Sequence, residues 1–239
     1  MAETPTAEPI VDRDFAERFL RAVDRPFDYG VYLLFHDWWA EAPQGAIDAY
    51  ADMLRAFPGA TEFLAQRHLP EPTTVEALDG CAPGTLGHGY RSSVVDNGLE
   101  ANLARNYREF NEQLTADGTL DRLPDDVSFT IVRGFQLHDM MHVITGFSSR
   151  PLGELAQAGF HFGQLQFPYH AMRVAVTTAH IAFVNPRAIV GAMDALSTGW
   201  MMGRQAANIH FGRLEDDLHT PLDEVRARIG LDPAAHLTF

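Results

Sequence analysis

Apolar side chains recur every three or four residues along most of this 239-residue chain. The clearest run has intervals of four, four, three and four residues: Leu99, Leu103, Tyr107, Phe110 and Leu114. This spacing places the side chains on one face of a helix, and a glycine commonly ends such a helix. The pattern therefore predicts one amphipathic helix over residues 99–114, closed by Gly118.

Similar patterns predict further helices, which include residues 15–23 behind Asp12 or Asp14 as N-cap, 127–145 behind Asp125 or Asp126, 189–207 and 222–231. Few stretches alternate between apolar and polar residues, and no repeat of roughly 20 to 50 residues is present. We therefore expect an all-α fold, a single-domain bundle of roughly nine to eleven helices. Residues 1–11 are expected to form a flexible acidic tail, and residues 12–239 a single helical domain.

The composition limits the classes of function. The net charge is −14 with only 18 Lys and Arg residues, which argues against a nucleic-acid partner because phosphate binding needs clustered basic side chains. Cys81 is the single cysteine, so neither an internal disulfide nor a cysteine-based zinc site can form. No signal peptide and no apolar stretch long enough to span a membrane is found. We expect a cytoplasmic protein. Any contact with a membrane is expected to be peripheral and on its inner face.

One short motif carries metal-binding chemistry. In the sequence His138-Asp139-x-x-His142, a helix would place the two histidines one turn apart on one face, with Asp139 on its flank. Gly146 predicts the end of that helix, and Pro151 predicts the start of the next, with Glu154 in its first turn. The turn between the helices would bring Glu154 back towards the histidines. Imidazole and carboxylate groups together suit a divalent metal, most naturally zinc, with iron or manganese as alternatives.

The same residues also allow a plain structural role. In that interpretation the histidines form hydrogen bonds with their neighbours and Asp139 faces water. His161, His170 and His180 lie on the apolar segment after the motif and are interpreted as packing residues. Arg133 is expected to form a salt bridge, with contact to an acidic substrate as the alternative.

Three motifs together resemble the coenzyme Q (ubiquinone) biosynthesis protein 4 family. They are Gly84-Thr-Leu-Gly87-x-x-Tyr90, the metal motif with Gly146, and Gly153-Glu154 with eleven residues between His142 and Glu154. Six further residues match the pattern of the C-terminal helices of that family: Gly203, Ala206, Glu215, Leu222, Arg226 and Gly230. The resemblance covers about residues 84–230.

The resemblance implies an all-α fold and a divalent metal held by His138, Asp139, His142 and Glu154. It also implies action on a prenylated aromatic lipid, with loss of the C1 carboxyl of a polyprenyl benzoate ring coupled to hydroxylation. Asp139 or Glu154 would then have a catalytic role as a weak ligand that exchanges with substrate. Further implications are a homodimer, peripheral membrane contact and association with other proteins of quinone biosynthesis.

Other functions remain open at the level of sequence. The metal could hold two helices together in a lipid-binding or scaffolding protein without catalysis, since four protein ligands close a structural zinc site. A zincin-type metallohydrolase is the third candidate, although such enzymes have Glu where this chain has Asp139. The segment 155–184, rich in Gly, Ala and Phe, would line a tunnel for an isoprenoid tail or else pack as ordinary helices.

Overall fold

The computed structural model describes residues 12–26, 39, 41–116, 118 and 121–233, and in these residues it contains eleven α-helices and no β-strand. In chain order they are α1 (Arg13–Asp24), α2 (Gln44–Arg55), α3 (Ala60–Gln66), α4 (Leu86–Asn97), α5 (Glu100–Leu103), α6 (Tyr107–Ala116), α7 (Asp125–Thr145), α8 (Pro151–Leu165), α9 (Pro168–Val184), α10 (Ile189–Gln205) and α11 (Leu222–Ile229). Short 3₁₀ turns lie at Glu76–Leu78, Pro186–Ala188 and Leu214–Asp217. The predicted all-α fold is confirmed. The predicted tail, residues 1–11, lies outside the described residues.

Helix α7 is the central element of the bundle. Its side chains contribute to three clusters of buried apolar residues, and one of these clusters also includes residues of α4, α8, α10 and α11. A helix that is apolar on most of its faces must be surrounded by other elements. In the metal motif this central position buries His142, while His138 and Asp139 stay partly exposed.

The turn between α7 and α8 has the predicted form. Gly146 has φ 78° and closes α7 in the left-handed conformation, and its N–H donates to the carbonyl of His142. Pro151 is the first residue of α8, where its missing N–H has no cost. The predicted N-cap of α7, Asp125 or Asp126, was wrong, because Pro124 occupies that position. Asp126 lies in the first turn and pairs instead with Arg55 and Arg67.

The predicted helix over residues 99–114 is in fact two helices, α5 and α6. Asn106 lies between them, and its side-chain oxygen accepts hydrogen bonds from the backbone N–H of Arg108 at 3.1 Å and of Glu109 at 3.2 Å. An asparagine in this position caps a new helix and competes with continuation of the old one. The one-helix prediction was wrong because apolar spacing alone does not register this cap.

Helices α8 and α10 are in backbone contact along glycines. A Cβ at Gly199 would lie 1.8 Å from the carbonyl oxygen of Ala156, and one at Gly203 would lie 2.3 Å from that of Phe160. On the α8 side of this contact, Gly159 and Gly163 likewise lie close to the backbone of α10. The contacts advance in the same direction along both helices, so α8 and α10 are parallel, and α9 runs back from the end of α8 to the start of α10. These glycines pack helix against helix, as one of the two interpretations of segment 155–184 predicted.

The Gly84–Gly87 motif anchors the start of α4 to the C-terminal region. The N–H of Gly87 donates to the carbonyl of Leu218 at 2.8 Å, and the N–H of Leu222 donates to the carbonyl of Gly84 at 2.9 Å. Gly84 has φ 87°, a conformation that favours glycine, and Thr85 caps α4. This motif therefore has a structural role.

In the part of the chain described, no helix combines the length and apolar character that crossing a bilayer requires.

Candidate metal centre and adjoining cavity

Three of the four predicted metal ligands meet at one point. Nε2 of His142 lies 3.2 Å from Oε1 of Glu154, and Nε2 of His138 lies 3.7 Å from Oε2 of the same carboxylate. One ligand atom from each of the three side chains lies within 4.8 Å of the others. Among the described residues no other group of three His, Cys, Asp or Glu side chains has this spacing. We refer to His138, His142 and Glu154 as the triad.

Hydrogen bonds set the orientation of both triad histidines. Nδ1 of His142 lies 3.0 Å from the carbonyl oxygen of Phe147, which can only accept, so Nδ1 carries the proton and donates. Nδ1 of His138 lies 3.1 Å from Oδ1 of Asp139 and donates to this carboxylate. In the neutral rings Nε2 is then left with a lone pair. Both lone pairs are on the nitrogens near Glu154, which is the arrangement that metal-binding histidines need.

Asp139 lies beside the triad but not in it. Its Oδ1 accepts from His138, and its Oδ2 accepts from Nδ2 of Asn102 at 2.8 Å. Both carboxylate oxygens are therefore engaged, and direct metal binding by Asp139 stays a prediction. Asn102 had no signal in the sequence, because it lies 37 residues before Asp139 and on another helix, α5.

The charges of the site support one another in the absence of a metal. Burial is the largest single effect and opposes the charged form of His142, but Glu154, the carbonyl of Phe147 and Asp139 together outweigh it and raise the pKa of His142. Burial likewise opposes the Glu154 carboxylate, while His142, His138 and Arg173 together lower its pKa. The pKa of Asp139 is also lowered, since His138 and Asn102 outweigh burial. The site holds two carboxylates in their charged form close to two imidazoles.

The residues present fit a divalent cation. Nε2 of His142 is buried and has no hydrogen-bond partner of acceptable geometry, although Glu154 is near. A buried nitrogen in this condition is destabilising unless another group binds it. Two imidazole nitrogens and a carboxylate oxygen suit zinc, iron or manganese and leave coordination positions for other ligands.

Two cavities adjoin the triad. The first, of about 360 Å³, has mainly apolar walls that include Ile131, Phe135, Ala158, Leu165, Phe167 and Tyr169. The second, of about 430 Å³, is lined by polar side chains such as Ser93, Asn97 and Ser149. Residues His138, Asp139, Glu154 and Asn102 line both cavities. We call the first the apolar cavity, and its size suits a small ligand in contact with the triad.

Two arginines line the apolar cavity in a strongly acidic protein. Arg173 of α9 has a guanidinium nitrogen 3.8 Å from Glu154, and Arg105 follows α5. Neither was singled out in the sequence, because only folding brings them to the site. They offer an anionic ligand two cationic partners at this cavity. Arg133 is instead buried and donates to Glu215 at 2.8 Å, so the predicted salt bridge is confirmed.

Further histidines line the same cavity. His161 and His170, interpreted as packing residues in the sequence, both face it together with His210. The signal that was available in the sequence is weak, since histidines 161, 170 and 210 share no regular spacing. His180 does have the predicted structural role, with Nδ1 within 2.8 Å of the carbonyl of Val23.

Comparison with known proteins identifies relatives of both sequence and fold. Residues 45–235 match the family model for the Coenzyme Q (ubiquinone) biosynthesis protein Coq4. A crystal structure of a Nostoc punctiforme PCC 73102 protein, provisionally named a ubiquinone biosynthesis protein, has a similar fold with a TM-score of 0.69. The similarity covers 90% of this chain and 94% of that one at 20% sequence identity. No curated protein matches the chain in sequence.

Proposed function

Because the chain belongs to the Coenzyme Q (ubiquinone) biosynthesis protein Coq4 family and so has a role in ubiquinone biosynthesis, we propose that it acts there as a metal-dependent enzyme. Its substrate in this proposal is a polyprenyl benzoate, whose ring C1 carboxyl leaves as carbon dioxide while C1 gains a hydroxyl. This exchange is a two-electron oxidation, for which a two-electron oxidant from solution, such as dioxygen, would be the co-substrate. The triad would bind the metal. We further propose a homodimer that contacts the membrane peripherally and other proteins of quinone biosynthesis.

The observation that carries the proposal is the position of the triad at the wall of the apolar cavity. His138 and Glu154 line this cavity together with aromatic side chains such as Phe167 and Tyr169. An aromatic ring in the cavity would therefore lie beside the metal ligands, with its apolar faces against apolar walls. Burial of the ring contributes about 25 cal/mol for each Å² of apolar surface removed from water.

Each residue of the site would have a separate task. When bound, a divalent metal supplies Lewis acidity that stabilises negative charge on ring or carboxyl oxygens. Arg173 would hold the substrate carboxylate at the cavity wall. Asp139 would keep the proton of His138 on Nδ1, and Glu154 would be the ligand that exchanges with substrate oxygen. The apolar walls would exclude water from the ring.

The geometry favours catalysis over a structural metal. Structural zinc sites use four protein ligands, whereas three side chains converge here and Asp139 is engaged elsewhere. The zincin alternative needs a free carboxylate as general base in the position of Asp139. Both oxygens of Asp139 accept hydrogen bonds from protein groups, which counts against this alternative.

The test combines metal analysis with a quinone profile. We expect purified protein to contain about one divalent metal ion per chain and the His142→Ala variant to contain almost none, because a triad of ligands is reduced to two. Cells that lack the gene should accumulate a ring-carboxylated quinone precursor. The wild-type gene should restore the quinone, and the His142→Ala gene should not.

The matched control is His180→Ala, which removes a histidine of α9 that does not line the cavity. This variant should retain the metal and restore the quinone. If cells lacking the gene make normal quinone while the protein still binds metal, the catalytic proposal fails and the scaffolding alternative gains.

A further inference from the structure

Three buried histidines form a cluster next to the triad. The rings of His161 and His170 are nearly parallel, with centroids 5.3 Å apart, and the ring of His210 lies 5.2 Å from His161. His161 is also stacked parallel to His138 of the triad, at 5.9 Å. All three side chains are at most 9% exposed, and all three line the apolar cavity. We call His161, His170 and His210 the histidine cluster.

Hydrogen-bonding capacity in the cluster is only partly used. Nδ1 of His161 and Nε2 of His210 lie 3.0 Å apart and form one hydrogen bond. Nε2 of His161, Nδ1 of His170 and Nδ1 of His210 are buried and have no partner. A neutral imidazole has one donor and one acceptor. Whichever ring donates in the internal bond, one outer nitrogen of the pair must carry an N–H without an acceptor, and the other must have an unused lone pair.

The cluster offers neutral rather than cationic groups. Burial is the main cause that lowers the pKa of His210 to about 3, and Arg133 adds to the effect. Burial also lowers the pKa of His170 well below its ordinary value, with Arg173 as a further cause. Because the outer nitrogens of the His161–His210 pair comprise one donor and one acceptor, a partner that can donate and accept at once, such as a hydroxyl group, matches the cluster. An anion is better matched by Arg173 and Arg105 in the same cavity.

Both kinds of polar group, the arginines and the histidine cluster, line one small space. Apolar side chains, among them Leu165 and Phe167, fill the rest of the wall, and the cavity volume of about 360 Å³ suits a ring rather than an extended polar ligand. A flat ring that bears a carboxylate at one position and a hydroxyl at another would satisfy both kinds of group.

We propose that the histidine cluster is a binding subsite for a ring hydroxyl of the ligand, with His161 and His170 as the residues that determine specificity for it. The inference rests on the proposed function in one respect, that the ligand is an aromatic acid. It adds the recognition of a neutral hydroxyl and assigns this to residues outside the triad.

The experiment compares three probes: 4-hydroxybenzoate, 4-methylbenzoate and benzoate. The methyl group has about the size of the hydroxyl but forms no hydrogen bond. Binding to the metal-loaded protein is measured by isothermal titration calorimetry at neutral pH, where the phenol is un-ionised. Wild-type protein should bind 4-hydroxybenzoate about three- to tenfold more tightly than 4-methylbenzoate, the value of one good hydrogen bond.

The variants His170→Phe and His161→Phe keep an aromatic ring and remove the nitrogens. Each should lose the preference for the hydroxyl while it still binds benzoate and retains its metal. His170→Asn places a polar group near the position of Nδ1 and should recover part of the preference. The control His180→Gln should behave as wild type. Thermal unfolding of every variant establishes that it is folded.

Three results would overturn the inference. The first is equal binding of the hydroxyl and methyl probes by wild-type protein, which would mean that the ligand does not reach the unpartnered nitrogens. The second is a preference for the hydroxyl that survives in both phenylalanine variants. The third is failure of all three probes to bind. None of these results bears on metal content or the quinone profile, which test the proposed function separately. Repeating the titration with the His142→Ala variant shows whether recognition of the hydroxyl depends on the metal.

Discussion

At the scale of single residues, the triad was predictable and its surroundings were not. His138 and His142 are four positions apart on one helix, and Glu154 follows a turn marked by Gly146 and Pro151, so local rules bring the three together. Groups such as Asn102, Arg173 and the histidine cluster come from α5, α8, α9 and the segment after α10. Their positions depend on tertiary packing, for which local spacing carries no information.

The contacts of Asp139 predict that it acts through His138. The Asp139→Asn variant should bind zinc about 10- to 100-fold more weakly, because the partner that fixes the proton on Nδ1 of His138 loses its charge. Zinc affinity is measured by competition with a chelator. Asp79→Asn, which alters an exposed carboxylate paired with Arg91, is the control and should leave zinc affinity unchanged.

X-ray absorption separates this role from direct ligation. The number of nitrogen and oxygen ligands around zinc should be the same in wild-type and Asp139→Asn protein. A coordination number lower by one in the variant would mean that Asp139 is itself a ligand, as the sequence motif suggested.

The pKa of His142 predicts how metal binding depends on pH. A metal needs the neutral imidazole, and contact with Glu154 raises the pKa of His142 above its ordinary value, so protons compete with the metal already above a pH of about 6.5. Zinc affinity should therefore fall as the pH decreases through that region. In Glu154→Gln the raising contact is lost and burial dominates, which should move the midpoint to lower pH although overall affinity is weaker. An unchanged midpoint in this variant would contradict the coupling of the two groups.

The same shifts set the stability of the metal-free protein. The pKa of His142 is raised on folding, so its contribution is present at low pH and is lost as the pH increases through the raised value. The pKa of Glu154 is lowered, so its contribution is present above the ordinary carboxylate range and is lost as the pH falls through the lowered value. The pair should stabilise the metal-free fold most between these two limits, as pH-dependent urea unfolding of wild-type and His142→Ala protein can measure.

At the scale of helices, the ends marked by glycine and proline followed from the sequence, while the pairing of helices did not. Gly146, Pro151 and Gly230 are at the predicted helix ends because each has a local conformational reason to be there. The break at Asn106 was missed because a side-chain cap can interrupt a regular apolar pattern. The parallel contact of α8 with α10 links residues about 40 positions apart and is set by the glycines that face each other.

This glycine contact should be intolerant of even one methyl group. Gly199→Ala should destabilise the protein by about 3 kcal/mol or more, because the new Cβ would lie 1.8 Å from the carbonyl oxygen of Ala156. Gly191 lies in the same helix, and the atom nearest to a Cβ added there is 3.8 Å away. The control Gly191→Ala should therefore leave stability unchanged or increase it by up to about 1 kcal/mol. Urea unfolding gives both values. Equal stability of the two variants would show that the helices can separate without cost.

Another long-range contact joins α7 to the C-terminal region. Arg133 is 1% exposed, donates to Glu215 at 2.8 Å and lies with its guanidinium carbon 5.4 Å from the ring centroid of Phe63. Arg133→Met should cost about 3 kcal/mol of stability, because it leaves the Glu215 carboxylate with His68 as its remaining side-chain partner. Arg228→Met removes a solvent-exposed pair with Asp217 and should cost less than about 1 kcal/mol.

A double variant tests the origin of the loss. Replacement of both partners, in Arg133→Met with Glu215→Leu, should recover part of the stability that Arg133→Met loses, since no buried charge is then left unpaired. A double variant less stable than Arg133→Met would instead point to lost packing around Phe63.

At the scale of the whole molecule, a metal at the triad would join α7 to α8 across the turn. Removal of the metal with a chelator should lower Tm by about 5 to 10 °C when the metal had been present at about 100 times its Kd. The His142→Ala variant should show almost no further decrease on chelation. Differential scanning calorimetry with and without chelator measures both, and an equal decrease in the two proteins would place the stabilising metal elsewhere.

The glycine-lined contact of α8 with α10 also restricts the route of a long ligand. Where two backbones touch, no isoprenoid unit can pass, so that flank of α8 is closed to a tail. The opposite flank carries Ala158 and Leu165, and beyond it Phe167 and Tyr169 continue the apolar wall. A prenyl chain attached to a ring in the cavity would thus have to leave on the side of α8 that faces away from α10, and the length of tail that the protein accepts would be decided there.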